Sequence, residues 1–139
     1  MSRKVLAVVA GLAAWVGTVI VVGEIMRVSW PEYDKVAAAM TFTLPMLIAR
    51  LSISALATLA AGLVSALIAP RSMLVRLMPG ILLLVGFVPV HISLWDKFPI
   101  WYHCTFLLSL VPLTYLGGGI TPLTLKPARD RAPSLARNG

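Results

Sequence analysis

Apolar residues in this chain fall into long blocks, broken by short segments that carry nearly all its charge and much of its proline. The first block, "VLAVVAGLAAWVGTVIVV" from Val5 to Val22, contains no charged residue. About 20 consecutive apolar residues are enough for a helix to cross the hydrocarbon core of a bilayer. "MSRK" before it is similar to the basic start of a secretory signal, but the block is longer than a signal's apolar core of about 7–15 residues and no A-x-A cleavage site follows. It therefore reads as an uncleaved span over about 5–24. A polar connection, "RVSWPEYDK", runs on to Lys35, with Trp30 and Tyr33 expected as interface aromatics.

The second block is interrupted. "VAAAMTFTLPMLIA" precedes Arg50, and "LSISALATLAAGLVSALIA" follows it without a charge. The span is expected over 47–69, with a break near Leu44 because Pro45 disfavours helix at the residue before it. Residues 36–46 read either as an interfacial helix or as the start of a long tilted span. "PRSMLVR" then brings Arg71 and Arg76, and a third span follows over 77–95, with Pro79 in its first turn and a kink expected at Pro89. Pro99 is placed to open a fourth span over 100–116, which "GGG" at 117–119 is expected to end.

Residues 1–119 thus form one four-helix transmembrane domain, and 120–139 a flexible basic tail. The fold class is an all-α membrane protein, a compact bundle of four transmembrane helices. Composition agrees: 59% of residues are hydrophobic and 12% charged, with a mean hydropathy of +0.92. An ordinary soluble domain carries about 25% charged residues.

The net charge of +7 raises the question of nucleic acid, but the cations lie between apolar blocks and in the tail, not along one face. Their distribution is that of a membrane topology. Arg3 and Lys4, then Arg71 and Arg76, then Lys126, Arg129, Arg131 and Arg137 mark alternate connections. Between Glu24 and Lys35 two cations face three acids, and Asp96 cancels Lys97. Four spans with both termini in the cytoplasm (N-in/C-in) place every cation-rich segment inside, in a bacterial inner membrane. The tail is expected to contact anionic lipid at about 1 kcal/mol per cation.

Small residues recur at a spacing of four on the second span, at Ser54, Thr58, Gly62 and Ala66. Gly11 and Gly17 take part in similar pairs on the first. Such rows let helix backbones approach closely in a membrane, here within the bundle in preference to a homo-oligomer or a larger membrane-protein partner.

Chemistry concentrates near the expected outer face. "HISLWDKFPIWYH", residues 91–103, holds both histidines of the chain. Glu24, Arg50, His91, Asp96 and His103 all fall within about two turns of that face, at about 1.5 Å per residue. One reading is an outer polar pocket in which Glu24 pairs with Arg50 and the histidines carry protons. The plainer reading is that these side chains only mark the interface. Two histidines beside Cys104 make an incomplete haem or metal set, and neighbours on a helix point about 100° apart. One cysteine excludes an internal disulfide and any Cys-x-x-Cys motif. No phosphate loop, nucleophile elbow or metalloprotease signature occurs, so no catalytic residue, metal or cofactor is assigned.

"VVGEIM" with Glu24, "WPEY" with Pro31, "FPIWYH" with Pro99 and Trp101, and "YLGGGI" together resemble the pattern of a loose group of small uncharacterised four-span bacterial inner-membrane proteins. The resemblance covers nearly the whole chain. It implies an architecture and no activity. Small multidrug-resistance exporters are also compact four-span proteins, but they hold a glutamate in the middle of the first span. Here Glu24 lies at its end.

Three functions remain. The first is a non-catalytic accessory or structural membrane protein, the second a small transporter or pH-responsive element using the outer polar residues. The third is a haem- or redox-carrying subunit with His91 and His103 as axial ligands.

Overall fold

The computed structural model describes residues 2–124, in which all the regular secondary structure is helical. Helix α1 is Arg3–Ser29, α2 Pro31–Ala37, α3 Leu44–Ile68, α4 Met73–Ser93 and α5 Ile100–Thr124, with a single 3-10 turn at Trp95–Lys97. Among the described residues, four helices (all but α2) are long and apolar enough to cross a membrane.

Proline sets most of the boundaries. Nothing in "IMRVS" interrupts α1, so it runs past residue 24 to Ser29, where Trp30 leaves helical geometry ahead of Pro31. Pro31 then opens α2. Residues 36–46 match neither expectation: α2 ends at Ala37, Met40 turns the chain with a left-handed φ of 57°, and α3 begins at Leu44 with Pro45 in its first turn. Helix α4 starts before residue 77, because the Ser72 Oγ accepts a hydrogen bond from the Val75 N–H at 3.4 Å and caps it at Met73.

Helix α5 does not end at residues 117–119. A glycine that stops a helix usually takes a left-handed φ, and no described glycine has a positive one. Gly117 instead lies where an added Cβ would strike the Leu59 backbone, and Gly118 where it would meet the Arg76 side chain at 2.9 Å. The helix therefore absorbs residues 120–124 of the expected tail. The rest of that segment, 125–139, lies outside the described residues.

The four long helices run alternately up and down. Helix α3 packs most extensively, against α5 on one side and α1 on the other, while α4 rests mainly on α5. Ala7, Ala69 and Val75 close one end, where Arg3 also donates to the Ile68 carbonyl at 2.6 Å. Trp15, Ala57, Ala61, Leu83, Phe106 and Leu110 fill the middle. Leu47, Phe98 and Tyr102 close the other end.

The centre is built from small and hydroxylated side chains. Ser54, Thr58, Gly62 and Ala66 are all buried, as their spacing predicts. Gly62 touches the Thr114 backbone and Gly11 touches Ser65, contacts that a Cβ on either glycine would prevent. Gly17 differs: it is exposed, and a Cβ there would meet nothing within 4 Å. Facing one way along α1, it takes no part in the packing. Long apolar side chains point outward instead, among them Ile20, Leu56, Val85 and Leu108.

Candidate functional site

Both histidines of the chain and several of its aromatic side chains meet at the end of the bundle where α4 passes into α5. His91 sits in the last turn of α4 and His103 in the first turn of α5. The 3-10 turn at Trp95–Lys97 and Pro99 between them fold the two helices into a tight hairpin. Both imidazoles face inward. His91 is 6% exposed and His103 1% exposed, and their Nδ1 atoms are 2.7 Å apart.

That distance is a hydrogen bond, so one Nδ1 donates and the other accepts. The His103 Nε2 is buried with no partner. A bare lone pair in that position is cheaper than an N–H without an acceptor. We therefore assign the shared proton to His103, with His91 accepting at Nδ1. Neutral or singly protonated, the pair keeps its bond. Doubly protonated, two N–H groups would oppose each other and the contact would break.

Aromatic rings enclose the pair. Trp95 stacks on His103 with centroids 4.9 Å apart, and Phe98 meets the same ring edge-on at 6.0 Å. Phe106 lies 4.6 Å from His91, with Phe87 and Tyr102 at 6.4 and 6.2 Å. Most of these partners arrive by helical spacing: Phe87 and His91 lie four apart on α4, and Tyr102 and Phe106 four apart on α5, while Phe98 enters from the extended residue before Pro99. That spacing is visible in the sequence and signals the cage, which depth alone does not.

Arg50 forms a second centre beside the first. Its Nη1 donates to the Tyr33 hydroxyl at 2.7 Å, and its Nε to the Tyr102 hydroxyl at 3.4 Å. The guanidinium also lies 4.6 Å from the Phe42 ring centroid, a cation–π contact, and Phe42 stacks on Tyr33. Tyr102 thus touches both centres. Tyr33 is not an interface aromatic, for α2 folds back and buries it to 4% exposure.

The expected Glu24–Arg50 pair does not form. Glu24 is exposed and holds Arg27 at 3.2 Å, which also binds Asp34 at 2.7 Å. Because α1 continues beyond residue 24, this acid turns toward its own helix and α2. Asp96 is exposed on the 3-10 turn, apart from the histidines. Of the five expected residues, then, the fold joins His91 with His103, brings Arg50 alongside through Tyr102, and leaves Glu24 and Asp96 outside.

The two Nδ1 atoms bond directly to each other at 2.7 Å, so no metal lies between those two nitrogens while the bond stands. Cys104 is exposed while His103 is buried, so the two adjacent residues do not share a surface. Among the described residues no group of three or more His, Cys, Asp and Glu is placed to hold a metal ion.

No family model matches this chain, and no curated protein or solved structure does either.

Proposed function

We propose that this chain is a four-span bacterial inner-membrane protein of non-catalytic type, with both termini cytoplasmic, whose outer end responds to protons through His91 and His103. One observation carries the reading: two buried imidazoles share a single hydrogen bond inside an aromatic cage. A second proton on the pair forces the rings apart, and α4 and α5 are joined at that point by a short turn. Protonation would thereby be coupled to the packing of the hairpin tip. The groups that face the pair are Trp95, Phe98, Phe87, Phe106 and Tyr102, with no carboxylate among them to offset a buried imidazolium.

Membrane insertion is supported by the inversion of ordinary packing, with small residues inside and large apolar ones outside. Arg3, Lys4, Arg71 and Arg76 gather at one end, and this asymmetry supports the cytoplasmic placement of the termini. The bacterial inner membrane rests on the resemblance carried by Glu24, Pro31, Pro99 and Trp101.

The test is nitrogen NMR of the histidine rings in lipid nanodiscs between about pH 5 and 8. Expected is a scalar coupling between the two Nδ1 atoms near neutral pH that is lost as the pH falls. No coupling across the bond at any pH would leave the purely structural accessory role.

A further inference from the structure

Beside Arg50 lies an open cavity of about 110 Å³, lined by Val19, Gly23 and Met26 of α1, Ile53 and Ser54 of α3, and Tyr33 and Tyr102. Its polar groups share one property: they have hydrogens to give and little to accept them. Arg50 carries five N–H donors, and two are engaged, by the Tyr33 and Tyr102 oxygens. Those hydroxyls accept from Arg50, which leaves both O–H hydrogens to donate. Ser54, one helical turn from Arg50 on the same face of α3, is 6% exposed, and its buried Oγ has no partner. No carboxylate among the described residues lies within ion-pair distance of Arg50, because Glu24 and Asp34 are held by Arg27.

A half-buried guanidinium without a counter-charge, two tyrosine hydroxyls with protons to spare and a buried serine hydroxyl without a partner are the features of a site that lacks its anion. We infer that this cavity binds a small oxyanion group, a carboxylate or phosphoryl, held by Arg50, Ser54, Tyr33 and Tyr102. The volume suits it, since one water needs only about 10–15 Å³ measured this way. Arginine's planar fork matches such a group where lysine's single point charge does not. The oxyanion comes either from solution or from a lipid headgroup. This site shares Tyr102 with the histidine cage, and its binding of an anion does not rest on the pair's response to protons.

The experiment follows the Arg50 guanidinium by nitrogen NMR, in micelles of a phosphorus-free maltoside detergent. Acetate, inorganic phosphate and phosphatidylglycerol are titrated in separately. A saturable shift of the Arg50 Nε–H is expected with at least one probe. Saturation by acetate or phosphate names a free anion, and saturation by phosphatidylglycerol alone names a headgroup. Two variants keep the result interpretable. Ser54→Ala removes a hydroxyl that bonds to nothing in the protein, so folding is retained while binding weakens about tenfold. Gly23→Leu adds a side chain where a Cβ meets nothing within 4 Å, on the cavity wall, and is expected to abolish the shift in a folded protein. The inference is overturned if no probe saturates, or if both folded variants bind as the parent does.

Discussion

Trp15 donates its indole N–H to the Thr58 hydroxyl at 3.2 Å, and Thr58 passes its own proton to the Ser54 carbonyl at 2.7 Å. One buried threonine therefore ties α1 to α3 and satisfies the polar edge of the largest side chain in the core. Interhelical side-chain bonds in membranes average about 0.6 kcal/mol and reach about 1.7. Thr58 is fully buried, so Thr58→Val, which keeps the shape and orphans the indole N–H, is expected near the upper figure. Reversible unfolding in mixed micelles measures it. A loss no greater than for an outward-facing threonine-sized change would show that the bond contributes nothing.

Gly62 and Gly17 make opposite predictions from the same residue type. At Gly62 a methyl group would strike the Thr114 backbone, so α3 and α5 must move apart. Gly62→Ala is expected to cost about 1–3 kcal/mol, as overpacking does. Gly17→Ala meets open space and gains helix propensity, so stability is unchanged or rises by up to about 1 kcal/mol. Equal effects at the two positions would contradict the packing described.

The histidine pair is open to a double-mutant cycle. Replacing His91 or His103 singly with Phe leaves the remaining imidazole buried without its partner, at a cost of about 1–3 kcal/mol. Replacing both removes two polar groups that needed each other. The double variant is expected to be less destabilised than the two single losses added, with a coupling of about 0.5–3 kcal/mol. Additive losses would mean that the rings are neighbours without a working bond.

Much of the fold was legible because its signals are local. Apolar blocks located all four long helices, and Pro45 and Pro99 located two of the breaks, since each acts on its own residue and the one before. Boundaries failed where a residue serves two purposes. Gly117 and Gly118 looked like a helix stop and are instead contact points for Leu59 and Arg76, which depends on a neighbour the local sequence does not contain. The candidate site divided in the same way. His91 and His103 could be placed at one depth by counting residues, but their direction depends on how α4 and α5 turn toward each other. Glu24–Arg50 was paired by charge alone. The actual partners of Arg50 are tyrosine oxygens, and Tyr33 reaches it only because α2 folds back over the bundle end.

Those two tyrosines are not equivalent. Tyr33 accepts from Arg50 at 2.7 Å and Tyr102 at 3.4 Å, where a hydrogen bond is already weak. Tyr33→Phe is therefore expected to destabilise the fold by about 1 kcal/mol, discounted from the range for charged hydrogen bonds because Arg50 is partly exposed. Tyr102→Phe should cost less through Arg50. Unfolding of the Arg50→Gln background separates the two contributions: there, Tyr33→Phe loses most of its effect. If it does not, Tyr33 acts through its ring contact with Phe42 and not through its hydroxyl.

The proposed orientation makes a prediction independent of any site chemistry. With both termini cytoplasmic, the Trp95–Lys97 turn faces outward and the connection 69–72 faces inward. Asp96 and Arg71 are exposed at these two opposite ends, which makes them suitable for cysteine substitution in a Cys104→Ser background. A membrane-impermeant maleimide added to intact spheroplasts is expected to label Asp96→Cys at once, and Arg71→Cys only after permeabilisation. The converse pattern would invert the topology and place the histidine pair beneath the cytoplasmic face. Its proton response would then report internal rather than external pH.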